Sequence, residues 1–148
     1  MFDEILIPTD GSEGVQPAVE MALNLAEKHD ATLHVLFIVD QPVSVSGAGE
    51  GFSGLDSLLE ALEEEGHEVT GEIAKQAEER DIETTAAVRR GNPHDDILNY
   101  AEEQGLDLIV IGTHGRTGVK RALLGSVTED IVRHSEIPVL TVHRAPEE

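Results

Sequence analysis

The residue types best suited to chemistry gather in one stretch: Gly112-Thr113-His114-Gly115-Arg116-Thr117-Gly118-Val119-Lys120-Arg121-Ala122-Leu123-Leu124-Gly125-Ser126-Val127-Thr128. Glycines at 112, 115 and 125 let backbone amides come close to an anion. Ser126 and Thr128 add hydroxyl donors where a helix begins, and free amides and the helix dipole favour phosphate there. Arg116, Lys120 and Arg121 are three of the ten basic residues, concentrated in six positions. In a chain of formal charge −20, that local cluster is electrostatic evidence for an anionic ligand. The competing reading is a plain turn followed by a capped helix, with Ser126 or its neighbours as the cap. A second small polar turn, Pro8-Thr9-Asp10-Gly11-Ser12, also directly follows an apolar strand. Asp10 in that turn has a competing structural reading, as an Asx-turn or a helix cap.

The elements around these turns alternate. Ile5-Leu6-Ile7 is a short buried-strand run that Pro8 should stop. Val15, Ala18, Val19, Ala22, Leu25 and Ala26 recur at helical spacing, with Pro17 tolerable in the first turn. A nearly continuous apolar run over 32–39 suits a parallel strand covered on both faces. Residues 40–54 are rich in Gly and Ser and read as a loop. A long helix over 55–77 carries Leu55, Leu58, Leu59 and Leu62, with a kink or break expected at Gly66 and Gly71. A strand over 83–89, a helix after Asn92-Pro93, a strand over 107–111, a helix over 126–134 and a strand over 137–143 complete the pattern. Such βα alternation predicts an α/β, Rossmann-like fold: an open five-stranded parallel sheet with helices on both faces. In the order 3-2-1-4-5, ligands sit beyond the carboxyl ends of strands one and four. Both polar turns fall at that point. Neither a repeat nor a linker divides 1–148, so one domain is expected.

Composition removes several function classes. The chain has 148 residues, with 30 acidic against 10 basic, so a polyanion such as DNA or RNA would be repelled. Excess acid with only three lysines reads either as adaptation to high salt or as an ordinary acidic protein. The absence of cysteine excludes disulfides and thiolate chemistry. The acidic start Met1-Phe2-Asp3-Glu4 and the lack of a long apolar run predict a soluble, cytoplasmic protein without membrane contact.

Four other readings are set aside. Gly49-Glu50-Gly51-Phe52-Ser53-Gly54 matches G-x-G-x-x-G, but it comes well after the strand that a dinucleotide fingerprint should close. No Gly-Lys-[Ser/Thr] of a Walker A loop occurs. Seven histidines are scattered without zinc-type spacing and read as surface or partly buried residues. His114 is the exception, because its loop faces the expected ligand. A phosphoacceptor receiver domain shares the fold class, but its paired acids after strand one and its lysine after strand five are missing.

Gly112, two residues, Gly115, nine residues, then Gly125-Ser126 resembles the Gly-x2-Gly-x9-Gly-[Ser/Thr] signature of the nucleotide-binding branch of universal stress proteins. The opening Ile5-Leu6-Ile7-Pro8-Thr9-Asp10-Gly11-Ser12 is similar to that family's first strand and turn, and Ser135 to Val142 to its last strand. The resemblance implies ATP with Mg or Mn as ligand. Asp10 would lie near the ribose or the metal, and Pro8, Thr9 and Ser12 would shape the pocket. Val39 would offer backbone contacts to adenine. Gly112, Gly115, Gly125, Ser126, Val127 and Thr128 would hold the phosphates, with His114 and Arg116 inside the loop. It also implies a homodimer through the last strand, where Val139, Leu140 and Val142 are apolar. The expected function is a nucleotide-dependent stress sensor or regulator with little turnover and no assigned catalytic residue. The alternatives are a slow ATPase or phosphoryl-transfer protein, or a binder of another adenine nucleotide such as AMP.

Overall fold

The computed structural model describes residues 2–10, 15–40, 53–113 and 125–143. Its strands are β1 (Glu4–Thr9), β2 (Thr32–Asp40), β3 (Thr84–Gly91), β4 (Leu108–Gly112) and β5 (Val139–Val142). Its helices are α1 (Gln16–His29), α2 (Ser53–Glu78), α3 (Pro93–Glu103) and α4 (Ser126–His134). The strands form one parallel sheet in the order β3-β2-β1-β4-β5, as the βα alternation predicts.

Strand periodicity sorts side chains onto the two faces. Ile5 and Ile7 of β1, with Leu33 and Val35 of β2, pack against Val19, Ala22 and Leu23 of α1 and Ile73 and Ala77 of α2. Leu6 and Leu36 point the other way, against Ile97, Tyr100 and Ala101 of α3 and Ile131 of α4. Helices therefore cover both faces, which is why β1 and β2 are buried at almost every position. β5 forms one edge of the sheet, with all four of its residues half-buried. No described helix is long and apolar enough to cross a membrane.

Three expectations need correction. Pro8 does not stop β1, which runs on to Thr9. The Glu4 carbonyl accepts from the Asp107 amide on the β4 side, so residues 4, 6 and 8 turn their backbone groups toward β4. Pairing with β4 ends at Leu6↔Ile109, while pairing with β2 continues through Pro8↔Leu36. The N–H that proline lacks would thus lie where β1 and β4 have already parted.

Nor do Gly66 and Gly71 break α2, which is continuous over Ser53–Glu78. A Cβ on Gly66 would come within 2.7 Å of Phe37 Cδ1 and 3.1 Å of Val88 Cγ1, so glycine here lets the helix approach the sheet. Gly71 has open space around its Cβ position.

His34 is the third correction. It is buried within the sheet, 5% exposed, although the histidines read as surface or partly buried. Its Nε2 lies 2.7 Å from Glu4 Oε1 and its Nδ1 3.1 Å from the Tyr100 hydroxyl, so both ring nitrogens are satisfied. Burial raises the Tyr100 pKa, with Arg89 opposing. The Arg89 guanidinium sits 4.8 Å from the Tyr100 ring centre.

Candidate functional site

The cleft lies where β1 and β4 separate, at their carboxyl ends, as open parallel sheets require. Its volume is about 400 Å³. Of the residues singled out from sequence, Pro8, Thr9, Asp10, Val39, Gly112, Gly125, Ser126, Val127 and Thr128 all line it. Ser12, His114, Gly115 and Arg116 lie outside the described residues, as do Lys120, Arg121 and most of the 40–54 loop.

One end is built from polar backbone. Gly125 is the N-cap of α4, with φ −63° and ψ 157°, and contributes no side-chain acceptor. The first-turn amides of Ser126, Val127 and Thr128 have no intrahelical partner by helix geometry, and a glycine cap leaves them without a competing side chain. The alternative of a side-chain-capped helix is not what the structure has.

Two short bonds hold this helix start in place. The Gly125 amide donates to the Thr113 carbonyl at 2.7 Å, and the Thr113 amide donates to Val142 at 3.1 Å. The Thr128 hydroxyl donates to the Gly112 carbonyl, also at 2.7 Å, and Thr128 is buried. Its only proton is therefore committed to the end of β4. Thr128 fixes α4 against the strand, while Ser126 is an exposed residue that lines the cleft.

The other end is apolar. Phe37, Ile38 and Val39 of β2, Leu62 of α2, Ile97 of α3 and Ile111 of β4 form its wall. Phe37 and Val39 also belong, with Leu59 and Leu62, to a small cluster beneath the first half of α2. Arg90 holds that half-helix from β3, donating to both Glu63 carboxylate oxygens at 2.9 Å. This fork holds the Glu63 carboxyl below its ordinary value, first through hydrogen bonding and then through charge, and raises the Arg90 pKa in return. Both groups are open to solvent, so the pair guides orientation more than it stabilises.

Phe37, Leu62, Ile97, Ile111 and Asp40 were not singled out from sequence. The four apolar residues carry the same periodic signal as core residues, and only their place around the carboxyl end of the sheet, two on strands and two on the covering helices, distinguishes them. Asp40 directly follows Val39, and a carboxylate closing an apolar strand was its available signal. Asp10 and Asp40 are the carboxylates of the described lining, and no cationic side chain joins them among the described residues.

Comparison with known proteins agrees with this architecture. The profile of the universal stress protein family matches residues 1–143. The chain is 38% identical to universal stress protein MJ0531 of Methanocaldococcus jannaschii over 148 residues, covering all of this chain and 86% of that one. The solved structure of protein MJ0577 from the same organism superposes with a TM-score of 0.82 at 32% identity, covering 99% of each chain. A universal stress protein solved in complex with cAMP shares the fold, with a TM-score of 0.68 at 24% identity over 97% of this chain and 98% of that one. With its parallel sheet, its glycine-capped helix and a relative of this identity over its whole length, the chain belongs to the universal stress protein family.

Proposed function

We propose that this protein binds ATP with Mg or Mn in the cleft between β1 and β4, and acts as a nucleotide-dependent regulator with little or no turnover. The observation that carries the reading is the two-ended cleft. An apolar slot with the dimensions of a small-molecule site leads to a helix start whose amides have no side-chain cap. A base would occupy the slot between Phe37, Val39 and Leu62, and phosphates would meet Gly112 and Gly125 to Thr128. Adenine is supported by the relative solved with cAMP, an adenine nucleotide held by the same fold.

The donor set also fits a hard divalent ion. Asp10 and Asp40 offer oxygen ligands of the kind Mg and Mn take, and two carboxylates beside a triphosphate need a cation between them. The ion would neutralise phosphate charge. Asp10 would hold it or the ribose, while the amides of α4 orient the chain of phosphates. Efficient phosphoryl transfer further requires a positioned water and a cation on the transferring group. His114 is the one residue of the sequence reading that could position that water, and this favours retention over turnover. The half-buried apolar residues of β5, at the sheet edge, support pairing with a second copy through Val139, Leu140 and Val142.

The test is a melting curve with Mg-ATP at low and high salt. Ligand at about a hundred times its dissociation constant should add roughly 2.7 kcal/mol. For a chain of this size, that is a shift of about 5–10 °C. Gly125→Val should abolish the shift, because its side chain fills the space needed by phosphate. No shift at millimolar Mg-ATP overturns the reading. Multiple turnovers lost on Asp10→Asn or His114→Ala would replace the binding role with a slow ATPase.

A further inference from the structure

His94 and His134 are far apart in sequence, yet the packing of α3 against α4 sets their rings side by side. The ring centres are 5.6 Å apart and the planes are inclined by 47°. His134 Nδ1 lies 3.0 Å from the Asp130 carbonyl oxygen. A carbonyl can only accept, so this nitrogen carries the proton and the neutral ring has its lone pair on Nε2. His94 Nδ1 lies 3.4 Å from Asp95 Oδ1, which favours the same tautomer. Neither Nε2 has a hydrogen-bond partner among the described residues.

An imidazole whose Nδ1–H faces an oxygen while Nε2 keeps its lone pair is prepared as a metal ligand. With nitrogen–metal distances of about 2.1 Å, each ring centre would stand about 3.2 Å from a shared ion. The observed separation of 5.6 Å then corresponds to roughly 120° at the ion, close to tetrahedral. We propose that His94 and His134 form a two-histidine site for a late first-row divalent ion of the Zn2+, Cu2+ or Ni2+ class.

No group of three or more His, Cys, Asp or Glu able to hold a metal occurs among the described residues, so water completes the coordination. Both side chains reach solvent, which leaves room for it. Imidazole donors select this class over Mg and Ca, while the charge of −20 attracts cations generally. The ion would tie the first turn of α3, where Pro93 lines the cleft, to the last turn of α4, whose first turn lines it too.

The experiment uses the full chain without nucleotide. Zn2+ is titrated by calorimetry, and Cu2+ coordination is read by pulsed electron paramagnetic resonance. Wild type should take one Zn2+ and show two imidazoles on Cu2+. His94→Gln and His134→Gln should each weaken Zn2+ binding by about tenfold or more, since a lost ligand costs at least what a lost outer-shell partner does. Each should also reduce the copper signature to one imidazole. His67→Gln should leave both readouts unchanged. Melting curves in chelator confirm that the variants fold. Equal Zn2+ affinity in wild type and both variants, or a single imidazole on copper in wild type, overturns the proposal and leaves the pair as a packing contact.

Discussion

Gly66→Ala and Gly71→Ala make the same chemical change on the same helix, and the structure assigns them opposite consequences. Each replaces glycine within α2 and should gain roughly 0.5–1 kcal/mol of helix propensity. At Gly71 the added methyl meets nothing within 4 Å, so the whole gain should survive. At Gly66 the methyl would stand 2.7 Å from Phe37 Cδ1, 3.0 Å from its Cγ and 3.1 Å from Val88 Cγ1. Phe37 is 3% exposed and packed beneath α2, so its ring or the helix must move. Overpacking of this kind costs about 1–3 kcal/mol. The net effect at Gly66 is a loss of up to about 2 kcal/mol, and the two variants should differ by about 1–3 kcal/mol. At about 2–4 °C per kcal/mol for a chain of this length, calorimetry should separate their melting temperatures by several degrees. Phe37→Leu should restore stability to Gly66→Ala more than its effect on wild type allows, measured as a double-mutant cycle. Because Phe37 also lines the cleft, only Gly66→Ala should change nucleotide affinity. If both alanines stabilise equally, the close approach of α2 to β2 is wrong.

Three further perturbations test other links. Thr128→Val removes the hydroxyl bonded to Gly112 and leaves a buried carbonyl unsatisfied, a loss of about 1–3 kcal/mol by denaturant titration, whereas Thr128→Ser should lose much less. A valine variant as stable as wild type would refute the anchoring role. The Glu63 carboxyl has a folded pKa below its unfolded value, so its contribution is present above the unfolded pKa and lost as pH falls through the folded one. Arg90→Ala should therefore flatten the acid limb of the stability profile below about pH 4.5, read from melting at stepped pH; an unchanged limb counts against the fork. With a formal charge of −20, stability should rise as salt goes from about 0.01 to 1 M and the screening length falls from about 30 to 3 Å. A melting temperature that drops over this range would show that self-repulsion is not the controlling charge effect.

Much of this molecule is readable in one dimension because its signals are local. The apolar run Thr32 to Val39 determined a strand covered on both sides, and Asn92-Pro93 determined a helix start, with the Asn92 side chain accepting from the Asp95 amide. The alternation of elements determined the parallel sheet and the end of it at which a ligand would sit. The glycine spacing from Gly112 to Gly125 marked the helix start that lines the cleft. Tertiary structure decided what depends on register and on the approach of distant elements. Pro8 stays in its strand because β1 and β4 part just before it. Gly66 is a contact surface and not a break because Phe37 lies beneath it. His34 is buried because Glu4 and Tyr100, from different elements, satisfy both ring nitrogens. His94 and His134 read as scattered residues until α3 and α4 pack together. Periodicity says which face a side chain takes, but it carries no information about what the facing element brings to meet it.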